Sequence, residues 1–206
     1  YINSKEIDFF EKNISSICKT KYAVALNSGT DALLLSLYLL GIKRGDEVIT
    51  PPNSFIASTS VIVHIGARPV FVDVLPDQNI NPELIEKAIT KRTKAIMPVH
   101  LTGRVCEMNE IIRISKKYGI PIIEDSAQSI GSKYYNNFSG SMGEIGCFSA
   151  HPLKNLNACG DSGFITTNNY SFYSKAKIMR NHGLINRNIV KKFAFLSRMD
   201  VLQAAI

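Results

Sequence analysis

YAVALNSGTDALLLSL, residues 22–37, is where the fold becomes legible. Tyr22–Leu26 is a short apolar run of strand length, bounded by polar residues. Asn27-Ser28-Gly29 is a small polar turn, and from Thr30 the apolar residues recur with helical spacing as far as Leu40. A strand, a tight turn and a helix in immediate succession is the opening half of a βαβ unit. The turn carries two readings. Free amides at the helix N-terminus can hold a phosphate, with Gly29 allowing close approach. Equally, Ser28 or Thr30 can simply cap the helix.

Outward from this stretch the same alternation repeats. Strands are expected at Glu47–Thr50, Pro69–Asp73, Ala95–Val99, Pro121–Glu124, Glu144–Phe148 and Gly163–Thr167. Helices are expected at Phe55–Ile65, Pro82–Thr90 and Met108–Tyr118. Asn81-Pro82-Glu83 supplies a cap residue, a first-turn proline and an acid at the positive end of the helix dipole. Gly41 and Gly119 are placed to stop helices. Strands alternating with helices imply an α/β protein: a three-layer α/β/α sandwich around a mostly parallel central sheet. Ligands of such sheets bind beyond the carboxyl ends of the strands.

Past His182 the pattern weakens, and Asn186 to Lys192 reads as a linker or mobile loop before a final helix. The chain begins with Tyr1, and Leu202-Gln203-Ala204-Ala205-Ile206 reads as a helix cut in mid-turn. The expectation is a piece of a longer protein: residues 1–185 a large domain, residues 186–206 a loop and helix start leading to a further small domain.

Composition narrows the function classes. The 206 residues are 45% hydrophobic and 20% charged, an ordinary globular balance with enough chain for a sizeable core. A net charge of +7 is scattered over the sequence without an aromatic-interleaved basic stripe, which favours a solvated surface or small anionic substrates over nucleic acid. Cys18, Cys106, Cys147 and Cys159 form no CxxC pair, and no signal-peptide pattern precedes them. They read as free thiols of a cytoplasmic protein. The four histidines lack metal-ligand spacing, so no metal is expected, and the longest apolar run is too short to span a bilayer.

Three further signals carry chemistry. Ile122-Ile123-Glu124-Asp125 places acids at the end of a very apolar strand, where a carboxylate is desolvated and wants a cationic partner. That partner can be an ion-pair residue, a metal, or a protonated ring nitrogen. Lys154, in CFSAHPLKNLNACGDSG (147–163), stands in a polar loop after a strand. It is either a solvated charge or an amine able to form a Schiff base. Phe55, after another strand, is a core aromatic or a stacking partner for a planar ring. An amine-bearing lysine, an acid for a pyridinium nitrogen and a helix N-terminus for phosphate are the three needs of pyridoxal 5'-phosphate.

With these residues in view, the chain resembles the DegT/StrS-type sugar aminotransferases. The matching stretches are NSGTDALLLSL, GDEVITPPNSFIAS, GARPVFVDV, MPVHLTG, IPIIEDSAQSIGS, GCFSAHPLKNLNACGDSGFITT, RNHG and SRMDVLQAAI, in this order from about Tyr22 to Ile206. The resemblance implies the fold of the aspartate aminotransferase superfamily (fold type I, large domain). It implies that Lys154 carries the cofactor as a Schiff base and shuttles the substrate proton. Asp125 would hold the pyridine nitrogen protonated, Gln128 would bond the phenolic oxygen, and Phe55 would cover the ring. Ser149, Gly29, Thr30 and the Asp31 amide would hold the phosphate. An amino-acid donor, usually glutamate, a nucleotide-linked keto-sugar acceptor, a role in surface polysaccharide or glycoconjugate synthesis, and a homodimer with shared active sites are implied with it.

The sequence departs from the family pattern at two places. Leu196 stands where many relatives have an asparagine that reaches the neighbouring subunit's cofactor phosphate, and Ser162 stands where glycine is frequent, threatening to crowd the turn. Of the smaller signals, His182 either touches substrate or orders its turn, His100 lines the sugar pocket or is structural, and Asp161 caps a turn. A dehydratase branch of the family replaces the lysine with histidine, and Lys154 argues against it. A non-catalytic cofactor-binding relative is the other alternative. A dinucleotide-binding reading fails for want of a G-x-G-x-x-G turn after the first strand.

Overall fold

The computed structural model describes residues 4–206. Its centre is a seven-stranded sheet made of two hydrogen-bonded halves. One half has β1 (Tyr22–Leu26), β9 (Gly163–Thr167), β8 (Ile145–Ser149) and β5 (Ile123–Asp125) side by side; the other has β4 (Thr93–Ile96), β2 (Glu47–Thr50) and β3 (Arg68–Phe71). Parallel bridges Ile96↔Ile122 and Val99↔Asp125 join β4 to β5. All neighbours run parallel except at β9, which is antiparallel to both β1 and β8. The mostly parallel α/β/α architecture expected from the alternation is therefore present, with one reversed strand.

Side-chain alternation along the strands builds the layers. Val48, Met97, Ile123, Cys147 and Ile165 face one core, packed against α2 (Gly29–Leu39), α3 (Ile56–His64) and α6 (Tyr170–Met179). Their sequence neighbours Ile49, Ile96 and Ile122 face the opposite core under α4 (Pro82–Ala88) and α5 (Met108–Tyr118). Phe148 and Phe164 extend that second face, stacked at 4.7 Å beneath α1 (Lys5–Cys18). Each such aliphatic or aromatic side chain contributes about 1.5–3 kcal/mol by leaving water.

Helices α1 and α6 are not among those expected from the sequence. Helix α1 buries Ile7, Glu11, Ile14 and Cys18, a single face at helical spacing. Glu11 breaks the apolar pattern because it is an anchor. It pairs with buried Arg180 at 2.6 Å and Lys177 at 2.9 Å on α6, and accepts the Ala25 N–H at 3.0 Å. Helix α4 starts as expected, with Asn81 accepting the Glu83 N–H at 3.0 Å, but ends at Ala88 rather than Thr90. Gly119, at φ 64°, takes the left-handed turn that ends α5.

Residues 186–192, expected as a linker or mobile loop, are part of a paired element. Leu184–Asn186 (β10) and Ile189–Val190 (β11) form a hairpin, so the polar stretch is the tip and second arm of a β-ribbon. A small ribbon, Lys133–Tyr134 (β6) and Asn137–Phe138 (β7), lies between β5 and β8. The last helix, α7 (Val201–Ala205), packs through Val201 and Ala204 onto Ile7 of α1. Among the described residues no helix is long and apolar enough to cross a membrane.

Candidate active site

The parallel strands all deliver their carboxyl ends to one edge of the sheet, and a cavity of about 480 Å³ opens there. Lys154, Asp125, Gln128, Phe55, Ser149, Gly29 and Thr30, separated by up to 125 positions of sequence, all line it. Asp31 does not.

One end of the cavity is the N-terminus of α2. Ser28 caps this helix, its Oγ accepting the Asp31 N–H at 3.0 Å, and its carbonyl accepts the Ala32 N–H. That is a correction to the expected role of Asp31: its amide is spent on the cap, and its carboxylate accepts from Ser197 Oγ at 2.5 Å, behind the cavity wall. The two readings of the turn prove compatible. Capping consumes Asp31, while the Gly29 and Thr30 N–H groups have no acceptor among the described residues, as first-turn amides of a helix do not. Ser149, the last residue of β8, sits against them; a Cβ on Gly29 would lie 2.7 Å from Ser149 Cβ. Ser149 Oγ accepts the His151 N–H at 3.3 Å, which leaves its own proton for an acceptor in the cavity. Two amides at a helix N-terminus and a hydroxyl form a cradle for a phosphate-type anion.

The floor is Asp125, the last residue of β5, 5% exposed. The sequence left its partner open between an ion-pair residue, a metal and a protonated ring nitrogen; from within the chain its hydrogen-bond donors are neutral. Ser58 Oγ donates to Oδ2 at 2.7 Å and the Ala127 N–H to Oδ1 at 3.2 Å. Burial pushes this carboxyl above the usual range, and the Ser58 and Ala127 hydrogen bonds pull the other way. Gln128, three residues on, accepts the Thr102 N–H on Oε1 at 2.7 Å. Because that N–H can only donate, the side-chain NH₂ is the end left for an acceptor in the cavity.

Lys154 lies in the turn after β8, half-buried, its N–H bonded to the His151 carbonyl at 2.8 Å. The loop is closed behind it by Ala158 N–H to the Ala150 carbonyl at 2.9 Å. Ser162 lines the cavity: the Ala150 N–H donates to its carbonyl at 2.8 Å, and its buried hydroxyl has no partner among the described residues. Phe55 is the cap residue of α3 and is 69% exposed, so it is not a core aromatic. Asp161 lines the rim.

Three other residues had open readings in the sequence. His100 borders the cavity but is fully buried, and its hydrogen bonds are to the protein. Its Nδ1 accepts the Cys106 N–H at 3.2 Å, so Nε2 carries the proton and donates to Glu124 Oε2 at 3.0 Å. His182 is exposed with φ 56° and orders its turn, donating its N–H to the Phe195 carbonyl. Leu196 bridges Asn181 and is 53% exposed, presenting an apolar side chain.

Sequence reasoning missed Ser58 and Glu124. Glu124 is 0% exposed and accepts the N–H groups of Gly140, Met142 and Gly143 at 2.6–2.8 Å in addition to His100. An acid inside an apolar strand with no Lys or Arg nearby is the signal that could have marked such an anion cage. Among the described residues no group of three or more His, Cys, Asp or Glu is placed to hold a metal.

A doubly covered α/β sheet gathers open helix amides, a buried acid and a lysine at its carboxyl edge, and comparison with known proteins supplies the family. The chain belongs to the DegT/DnrJ/EryC1/StrS aminotransferase family, whose model matches residues 1–206. It is 40% identical over 207 residues to the UDP-2-acetamido-2-deoxy-3-oxo-D-glucuronate aminotransferase of Pseudomonas aeruginosa, covering 100% of this chain and 58% of that protein. It superposes with a TM-score of 0.96 and 38% identity on S. venezuelae DesV in complex with a ketimine intermediate, covering 99% of this chain and 55% of that one. NtdA from Bacillus subtilis with bound cofactor PMP gives a TM-score of 0.93 at 38% identity, covering 99% and 47%. The chain thus spans about half the length of the relatives it matches.

Proposed function

We propose that the protein to which this chain belongs is a pyridoxal-phosphate-dependent aminotransferase. It moves an amino group from an amino acid, glutamate in our reading, to a keto group of a nucleotide-linked sugar for cell-surface polysaccharide or glycoconjugate synthesis. The observation that carries this is the convergence of Lys154, Asp125 and the open α2 N-terminus on one cavity. The relatives' substrates and the PMP bound by a structural neighbour support it.

Bound here, pyridoxal phosphate supplies an aldehyde that condenses with amines and a ring that accepts electrons as a proton leaves the substrate α-carbon. The Gly29 and Thr30 amides and the Ser149 hydroxyl hold the phosphate. Asp125 accepts the proton-bearing ring nitrogen, Gln128 donates its NH₂ to the phenolic oxygen, and Phe55 covers the ring. Lys154 would provide the attachment amine and, as a free amine, would be the base that takes the α-proton and returns it.

Phe55 and Leu153, 69% and 87% exposed on the cavity wall, support a second copy of the chain covering the mouth as a homodimer. The free state of Cys18, Cys106, Cys147 and Cys159 supports a cytoplasmic location. Residues 186–206 leading to a further small domain belong to the same proposal.

The test is the visible spectrum of the protein mixed with pyridoxal phosphate, before and after borohydride, with the modified peptide mapped. The expected result is a reducible absorption band and an adduct on Lys154, both absent in Lys154→Ala. A blank with the full-length protein would return the reading to a non-catalytic relative.

A further inference from the structure

The hydrogen bonds behind Asp125 form a chain with no role in the family resemblance. Ser58, the third residue of α3, is 1% exposed, and its Oγ reaches Asp125 Oδ2 at 2.7 Å. Ser54, just before the helix, has two acceptors for its one hydroxyl proton, Ser58 Oγ at 3.0 Å and the Phe55 carbonyl at 3.2 Å, and it is the donor toward Ser58 because the Ser58 proton goes to the Asp125 carboxylate. We propose that Ser58 is a positioning residue, its hydroxyl fixing the Asp125 carboxylate for the ring nitrogen of the cofactor, and that Ser54 orients that hydroxyl. The inference rests on the pyridoxal phosphate reading of the cavity.

A serine hydroxyl has one proton to give. With Ser54 donating to it, Ser58 keeps its own proton for Asp125, and the chain runs in one direction, toward the carboxylate. Such chains strengthen each member. The Ala127 N–H holds the other oxygen at 3.2 Å, so the plane of the carboxylate is fixed from two sides. Both contacts are donors, and donors favour the ionised form, the form that pairs with a protonated ring nitrogen. They oppose the burial that pushes Asp125 toward neutrality.

The other titratable groups facing Asp125 are the His100 ring beyond β4, Lys154 from the loop after β8 and Cys147 of β8. None is hydrogen-bonded to Ser58, whose side chain bonds Asp125 and Ser54. The same turn also sets the ring cover, since the Ser58 N–H bonds the Phe55 carbonyl at 3.2 Å. Clamp and cover are therefore carried on one turn of helix.

The experiment follows the Asp125 carboxyl carbon by NMR in the whole chain with ¹³C-labelled aspartate, without cofactor, the signal assigned by Asp125→Asn. In Ser58→Ala the titration midpoint is expected to move to higher pH, in Ser58→Thr to return toward wild type, and in Ser54→Ala to move the same way by less. Far-UV circular dichroism establishes that each variant is folded. An unmoved midpoint in folded Ser58→Ala overturns the proposal; if that variant does not fold, an unmoved midpoint in Ser54→Ala does so. With pyridoxal phosphate added, Ser58→Ala is expected to bind about tenfold more weakly, the loss of one charge-assisted hydrogen bond. A wild-type protein that gives no band overturns the cofactor reading and with it the role assigned to Ser58, while the titration still reports whether the clamp acts on Asp125.

Discussion

Gly163 lies so close against Gly29 that a Cβ on Gly163 would stand 2.5 Å from the Gly29 nitrogen. The first residue of β9 thereby seats the first turn of α2 on the sheet, beside Ser149, its partner across the β8–β9 pair. The place of the open Gly29 and Thr30 amides beside the Ser149 hydroxyl, the proposed phosphate cradle, rests on this contact, because a side chain at 163 would meet the Ser28 and Gly29 backbone.

Gly163→Ala is expected to destabilise the protein by about 1–3 kcal/mol, the usual range for overpacking. It is also expected to weaken binding of pyridoxal phosphate. Urea unfolding measures the first effect and absorption titration the second. A variant with wild-type values in both would show that the cradle tolerates displacement.

Glu124 tells the opposite story, of a polar group that the core cannot do without. Four donors converge on its carboxylate. Glu124→Gln replaces one acceptor oxygen with an NH₂ that faces donors, so buried N–H groups lose their partner. The expected cost is about 3 kcal/mol. Faster hydrogen exchange at the Gly140, Met142 and Gly143 amides would accompany it, and unchanged exchange there would contradict the cage.

Glu47 predicts part of the acid limb of stability. Hydrogen bonds from Thr90 and Arg92 hold its carboxyl below the usual range. A depressed folded value contributes stability above the unfolded pKa of about 4.3, lost as pH falls through the folded value. Glu47→Gln should therefore be less stable than wild type at pH 7, with the gap closing in strong acid. Urea unfolding at a series of pH values reads this, and a gap independent of pH would remove the cause.

Asp125 has the reverse sign. Its folded value is raised by burial, so between the unfolded and folded values the folded state binds more protons and stability falls as pH rises. Asp125→Asn removes the buried charge and keeps an acceptor for the Ala127 N–H. It is expected to unfold at a higher temperature than wild type at neutral pH, and to lose transamination. A lower unfolding temperature would mean that the Ser58 and Ala127 contacts outweigh the cost of burial.

Local patterns determined much of this protein. Tyr22–Leu26, Glu47–Thr50, Gly163–Thr167 and Met108–Tyr118 are where their spacing puts them, because the period of apolar residues is set by chain geometry alone. The carriers of the proposed chemistry, Lys154, Asp125, Gln128 and Ser149, were legible as polar residues after strands, since parallel strands must deliver such residues to one edge. What only the tertiary structure decided concerns hydrogen-bond direction and reach. That Ser197 donates to the Asp31 carboxylate, that Ser58 donates to Asp125, and that Glu124 gathers amides from residues 140–143 depend on segments distant in sequence. A donor chooses its acceptor by separation in space, and no local period in the chain records that separation.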